Sequence, residues 1–491
     1  MPPLLSKSKF TCGIQCLRRL WLDVYRPEVA PPLDPVTEAI FAAGSKVGEV
    51  ARGRFRGGVL VASPHYEYDT ALAHTAELLA DESVPAIFEA AFIYDGVRVR
   101  VDVLERTGSR WRLIEVKSSA SLKDEHVPDL AIQHYVVTGS GLQIASDHLM
   151  RIDTSYVYDG QHLDPKRLFA IDDATALVSG ALNDLPEQLT EQKAVLACSE
   201  EPQVEPGFQC ASPWDCPFAS YCMRGKPRYW VRSLPRISRT TFEELRGMGV
   251  EDILAIPDDF PLLPAQRLVR DALQSREAWV SSDLGSQLVQ VGFPIHFLDF
   301  ETFGPAMPRY RDTRPYQALP FQWSLHILER DGTMRHHGYL HDGDTDPRRD
   351  VARSVLDGVQ DIGSVMVFYA GHERPLIRRL ADDVPDLAAP LLGLLDRFVD
   401  LWAIVKSCYY HPDFVGSYSL KQVVPAMVPD CGYDDLGIQD GTIASLEYTR
   451  MLDTCDTDER ERIRQNLLAY SERDTWAMVR IWEELSRLGG S

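Results

Sequence analysis

The 491-residue chain has no apolar run approaching the roughly 18 residues of a membrane span, and its opening "MPPLLSKSKF" lacks a secretory h-region. These absences predict a cytoplasmic protein with no membrane partner. A disulfide framework is not expected in that compartment, so the nine cysteines need another role. There is no internal repeat and no low-complexity tract. Positive charge is scarce: the formal net charge of -21 argues against a protein that coats polyanions indiscriminately, though not against a local basic patch. What is present is a folding composition, 45% hydrophobic and 25% charged, in a chain long enough for two or three domains.

The first half reads as a helix opened by Asp34-Pro35, then strands near 86–94, 97–104 and 111–117. A helix near 127–138 and a strand near 148–157 follow. In "VRVRVDVLE" and "WRLIEVKSSA" apolar and charged residues alternate, the pattern of half-buried strands, and "RTGS" between them is a turn signal. A hairpin symmetric about that turn makes Asp102 and Glu115 cross-strand neighbours, with Lys117 on the Glu115 face. Two carboxylates beside a lysine on a half-buried strand need compensation. A hard divalent cation, Mg²⁺ or Mn²⁺, supplies it and would polarise a phosphodiester. A surface ion pair at a strand edge is the plainer alternative.

Glu89, Asp102 and Glu115-Val-Lys117, followed on the next helix by Gln133 and Tyr135, stand in the order of the PD-(D/E)XK nucleases. Residues 1–225 resemble that superfamily, in particular its RecB-like branch and the CRISPR-associated iron–sulfur exonucleases. The resemblance implies a restriction-endonuclease-like core with Asp102 and Glu115 as metal ligands and Lys117 as the catalytic lysine. It makes Glu89 a supporting acid and gives Gln133 a role in placing water or DNA. The family's early histidine has no counterpart in "FAAGSKVGEVARGRF", and Gln133 precedes its tyrosine by two residues where the family has four.

In "CASPWDCPFASYC" Cys210, Cys216 and Cys222 follow at six-residue steps, and Cys16 or Cys12 is available as a fourth thiolate. Four thiolates suit an iron–sulfur cluster or structural zinc. The paired two-residue gaps of zinc ribbons are missing. One early cysteine with three late ones is the layout of the iron–sulfur nucleases, which implies a [4Fe-4S] cluster on Cys16, Cys210, Cys216 and Cys222. Cys198, Cys408, Cys431 and Cys455 read as small core residues.

Helical segments near 240–280 lead to a second α/β pattern starting at "FPIHFLDFETFG". Its strand puts Asp299 and Glu301 on one face, Glu373 lies at a strand–helix junction, and "YSERD" sets Tyr470 and Asp474 one helical turn apart. Four such acids can converge on two cations, with Tyr470 orienting the attacking water. His372 reads as a satisfied core histidine. In this order the residues resemble the DEDDy branch of the DEDD 3′–5′ exonucleases over 290–488. That implies an RNase H-like α/β domain, with Glu373 where the family has aspartate.

Between the halves "RGKPRYWVRSLPRISR" gathers Arg224, Lys226, Arg228, Arg232, Arg236 and Arg239 with no acid, and includes Tyr229 and Trp230 as stacking surfaces for nucleic acid. A solvated linker is the alternative. The expected organisation is a nuclease domain at 1–228, a basic helical linker at 229–288 and an exonuclease domain at 289–491. The pairing resembles a bacterial family that fuses an iron–sulfur RecB-like nuclease to an RNase H-like exonuclease. The expected function is a two-site, metal-dependent nuclease acting on DNA rather than RNA, in repair, recombination or defence. A nucleic-acid-binding scaffold with vestigial acids, or an exoribonuclease, are the rivals.

Overall fold

The computed structural model describes residues 4–64 and 66–490, so residues 1–3 and 491, the outermost positions of the expected end domains, lie outside the described residues. The chain is mixed α/β and divides into two units. One comprises 1–225 with 305–316, the other 226–304 with 317–491. Residues 229–288, expected as a linker, thus belong to the second unit, and the boundary falls at 225/226. No helix among the described residues is long and apolar enough to cross a membrane.

The first unit opens with helices α1 (Lys7–Gln15), α2 (Leu17–Tyr25) and α3 (Pro35–Arg52), the last capped by Asp34, whose carboxylate accepts from Thr37 N–H. Strands β1 (Ala86–Tyr94), β2 (Val97–Thr107) and β3 (Arg110–Lys117) form an antiparallel meander. Gly108, at φ +61°, makes the tight β2–β3 turn. Helix α4 (Val127–Gly139) covers the sheet and returns the chain to β4 (Ile144–Ile152), parallel to β3, and then β5 (Phe169–Asp173). The expected strand at 148–157 sits earlier. Gly141, at φ +93°, reverses the chain soon after α4, and Asp153 ends the strand by accepting from Ser155 N–H.

One local feature sets up the first candidate site. Beyond the hairpin, β3 pairs with residues 103–107 of β2, whereas Leu5–Ser6 pairs parallel with Val97–Arg98. The two partners flank a gap in the ladder at residues 99–102. Ser6 then caps α1, accepting from Lys9 N–H, which makes Lys7 the first helical residue beside that gap.

In the second unit, helices α5 (Arg239–Gly247) and α6 (Pro264–Ser275) precede a five-stranded mixed sheet. Its strands are β6 (Ile295–Phe303), β7 (Leu319–Leu328), β8 (Met334–Leu340), β9 (Ser364–Val367) and β10 (Phe398–Asp400), in the order β8-β7-β6-β9-β10. The first three are antiparallel, and β9 and β10 continue parallel to β6. Helix α7 (Ala370–Asp383) leaves β9 directly. Helices α8 (Gly441–Asp453) and α9 (Thr457–Gly489) complete the unit. Buried positions of α9 include Leu467, Tyr470, Ser471, Asp474, Thr475, Met478 and Ile481, the three- and four-residue steps of one helix face.

Candidate functional site

In the first unit three acids lie in a row across three strands. Phe88 pairs with Val103 and Ala90 with Val101, so Glu89 faces Asp102. Val103 pairs with Ile114, so Asp102 faces Glu115. Glu89 holds φ at +57°, a left-handed conformation that costs a non-glycine residue about 1–3 kcal/mol and tends to occur at functional sites. Asp102 accepts from Val116 N–H at 2.7 Å. Glu89, Asp102 and Lys7 line a cleft of about 360 Å³.

Glu115 is almost fully buried, yet its compensation is already in place. Lys7 Nζ lies 2.7 and 2.9 Å from its two oxygens, Lys117 Nζ 2.8 Å from Oε1, and Gln133 Nε2 donates to Oε2 at 2.8 Å. These four contacts, from three donor groups, match the roughly four lone-pair directions of a carboxylate. Where the sequence suggested a metal, the structure therefore supplies a second lysine, brought from the chain's start by the Leu5–Ser6 strand. Lys117 also bonds Asp129, a buried acid that sequence reasoning missed along with Lys7. Burial would raise the Glu115 pKa, but Lys117 and Lys7 outweigh it and hold the carboxyl well below its usual range. Asp102 is pushed the other way, to about 7, by burial and then by the Glu115 charge. Tyr135 is not part of this site. Its hydroxyl donates to Asp95 at 2.9 Å and its ring packs edge-on to Tyr94 at the β1–β2 turn.

Cys16, Cys210, Cys216 and Cys222 line one small cavity together with Arg18 and Arg19, and Cys12 is not part of its wall. No three of these four sulfurs all lie within 4.8 Å of one another. Burial pushes the Cys222 thiol to about 11, with the neighbouring thiols adding to the rise and Arg18 opposing it. Gln15 Nε2 donates to the carbonyls of Gln209 and Trp214, and Trp21 Nε1 to that of Cys198. The N-terminal helices are thereby tied to the cysteine segment by ordinary hydrogen bonds as well. Cys408 and Cys431 are buried as expected, but Cys198 and Cys455 are exposed, because each follows a helix end.

The second unit gathers its acids differently. Asp299 and Glu301 on β6 and Asp474 on α9 place ligand oxygens within 4.8 Å of one another. Glu373, in the first turn of α7, is 3% exposed, and its Oε2 accepts no hydrogen bond. Among the described residues no lysine or arginine forms an ion pair with these four carboxylates. Lys421, 3.4 Å from Asp440, is the cation whose charge reaches Asp474. Burial, then the charge of Asp474, raises Asp299 well above the carboxylate range; burial, then Asp299, does the same to Glu301 and Glu373. Asp474 rises to about 6 through burial, restrained by hydrogen bonds from Tyr433, at 2.6 Å, and Tyr470. A Cβ on Gly441, the first residue of α8, would stand 3.4 Å from Glu301 Oε2, so glycine keeps the space beside that carboxylate open. Tyr433, Lys421 and Gly441 carry no motif spacing and were invisible in the sequence. His372 is exposed rather than a core residue, since it sits on the solvent side of α7.

The basic stretch does not form one surface. Trp230 is 8% exposed and packs edge-on to Phe242, because its indole anchors α5 to the preceding loop. Lys226 pairs with Glu251 at 2.8 Å, and Arg228 faces Asp413 at 3.7 Å with its guanidinium over the Tyr229 ring. Arg224 belongs to the first unit and lies over Tyr221. Arg232 is half-buried and Arg239 exposed at the start of α5. Arg236 lines a cavity of about 1090 Å³ with Lys406, Tyr369, Trp402, Tyr410 and Tyr418. Aromatic rings and cations do meet in this unit, but from sequence-distant residues. Tyr369 is half exposed and, at φ +73°, caps α7 four residues before Glu373.

Residues 296–419 match a protein-family model described as a domain of unknown function, DUF2779. The matched span, about a quarter of the chain, includes Asp299, Glu301, Glu373 and most of the aromatic cavity, and stops before Tyr470 and Asp474. No curated protein matches the chain.

Proposed function

We propose that the chain is a metal-dependent nuclease whose principal phosphodiesterase site is the acid cluster of the second unit. The observation that carries this reading is the convergence of Asp299, Glu301 and Asp474 within 4.8 Å, with no lysine or arginine among the described residues in an ion pair with them. Buried like charges at that distance are unfavourable unless a cation joins them, and an all-oxygen donor set selects Mg²⁺ or Mn²⁺. Such a cation supplies Lewis acidity toward a phosphodiester and lowers the pKa of water. The protein's own part is positional. Tyr433 and Tyr470 fix the Asp474 carboxylate, and the Tyr470 hydroxyl sits where it can orient a water. Tyr369, Trp402 and Tyr410 give stacking faces, while Arg236 and Lys406 give phosphate charge, which suits a single strand led past Glu373. The mixed sheet with Asp-x-Glu on its middle strand agrees with the RNase H-like, DEDDy reading.

The first unit is a second site of PD-(D/E)XK type in this proposal, with a condition attached. A cation reaches Glu115 only if Lys7 leaves it. The four cysteines suit a [4Fe-4S] cluster better than zinc, because zinc bonds of about 2.3 Å would set tetrahedral sulfurs roughly 3.8 Å apart. Iron and inorganic sulfide in protein purified without oxygen support the cluster, and stoichiometric zinc without sulfide contradicts it.

The test of function uses end-labelled DNA and RNA with Mg²⁺ or Mn²⁺. Cleavage by the wild type that disappears in Asp299→Asn supports the proposal. Equal cleavage by that variant, or none by the wild type with either metal, contradicts it and favours the scaffold reading. The labelled substrates also decide DNA against RNA.

A further inference from the structure

A second group of potential ligands in the same unit contains no aspartate and lies outside the acid cluster. His326 on β7 and His336 on β8 are directly paired across the antiparallel ladder. Their rings are 4.5 Å apart between centroids, and ligand atoms of His326, His336 and Glu472 of α9 lie within 4.8 Å of one another.

The hydrogen bonds around the two imidazoles show which nitrogens are committed. His326 Nδ1 is 2.8 Å from Thr475 Oγ1, and His336 Nε2 is 3.0 Å from Ser324 Oγ. Ser324 and Thr475 are themselves joined at 2.7 Å, so one buried hydroxyl pair holds the outer nitrogen of both rings. That leaves Nε2 of His326 and Nδ1 of His336, the latter 3.6 Å from Glu472 Oε1. Metal-binding histidines are usually held this way, with the nitrogen away from the ion fixed by a hydrogen bond. His326 is 5% exposed, so these bonds fix its ring inside the fold.

We propose that His326, His336 and Glu472 form a transition-metal site, of which Zn²⁺ is the representative ion, that clamps α9 to the β7–β8 pair. Two imidazoles and one carboxylate are a zinc donor set, and a side open to solvent leaves a position for water. Mg²⁺ does not compete well for nitrogen, so this site and the acid cluster select different ions. The clamp acts on the helix that carries Asp474, two residues beyond Glu472, and on the strand whose Ser324 pairs with Asp299. It rests on the donor geometry alone and does not depend on the nuclease proposal.

The test is zinc content per full-length chain after dialysis against Zn²⁺ in excess Mg²⁺, with zinc already held by the cysteines counted in every variant. His336→Gln and Glu472→Gln alter exposed side chains and should leave the fold intact. The wild type should hold one more zinc than either variant, and Asp299→Asn should keep that zinc. Ser324→Ala should still bind it, about 10- to 100-fold more weakly. Substituted Co²⁺ should give visible ligand-field absorption without thiolate charge-transfer bands, absent in His336→Gln. Equal zinc in the wild type, His336→Gln and Glu472→Gln overturns the proposal. So does loss of the extra zinc in Asp299→Asn with retention in His336→Gln.

Discussion

The two units meet the same electrostatic problem in opposite ways. In the first, a strand carboxylate at Glu115 is surrounded by Lys7, Lys117 and Gln133, and its charge is held within the protein. In the second, Asp299, Glu301 and Asp474 crowd together, with Glu373 nearby, and among the described residues no lysine or arginine forms an ion pair with them. The pKa directions follow: Glu115 falls below the usual range, whereas all four acids of the second unit rise above it. A carboxylate motif is therefore not by itself a metal site. What distinguishes one is the compensation that the protein leaves out.

The comparison can be broken by substitution. The largest effect expected is on catalysis: Asp299→Asn should lower metal-dependent cleavage by about 10³-fold, roughly 4 kcal/mol of lost transition-state stabilisation. The same change should raise the melting temperature of metal-free protein, because one like charge is removed from the cluster.

The next effect is on the pH dependence of stability without metal. Asp474 has a folded pKa of about 6 against an ordinary 3.8, so the folded state holds the proton more tightly than the unfolded chain. Stability is then greatest below about pH 4, falls as pH rises through about 6, and is level above. The other three acids shift in the same direction. In the first unit Glu115, ionised in both states above its ordinary 4.5, adds no slope in this range, and Asp102 alone, raised to about 7, lowers stability as pH rises toward 7. Melting curves of chelated protein should thus fall from pH 5 to 8 in the transition assigned to the second unit, and Mg²⁺ should remove most of that fall. A fall confined to the first unit would reverse the comparison.

Lys7→Met comes third. Removing one partner of a buried pair costs about 3–5 kcal/mol, and Lys7 is 24% exposed, so a loss of about 2 kcal/mol is expected in denaturant unfolding of the first unit. The vacated oxygens of Glu115 should also bind Mn²⁺ more tightly than in the wild type, which calorimetry would detect. Tyr470→Phe is the mildest change. Tyr433 still holds Asp474, so cleavage should slow about tenfold with metal affinity unchanged.

Much of this was legible in the sequence because local patterns dictate it. Alternating valines gave β2, "RTGS" gave its turn, Asp34-Pro35 gave the start of α3, and the six-residue cysteine steps marked one wall of the cysteine cavity. Asp299, Glu301 and Asp474 were legible as well, since each lies on the element its spacing predicts. The missed residues act across long sequence separations. Lys7 reaches Glu115 only because Leu5–Ser6 pairs with β2, and Tyr433 reaches Asp474 from a loop without periodicity. The basic stretch misled for a related reason. Its eight residues are neighbours in sequence, but folding buries Trp230, pairs Lys226 with Glu251 and assigns Arg224 to the other unit.

The central claim is that the second unit's acids, and not those of the first, form the ready divalent-cation site. It is tested most directly by Mn²⁺ binding, followed by electron paramagnetic resonance of the free ion. Wild type and Asp102→Asn should bind Mn²⁺ alike, and Asp299→Asn with Asp474→Asn should lose that binding. Binding lost in Asp102→Asn and kept in the Asp299→Asn, Asp474→Asn protein would contradict the account.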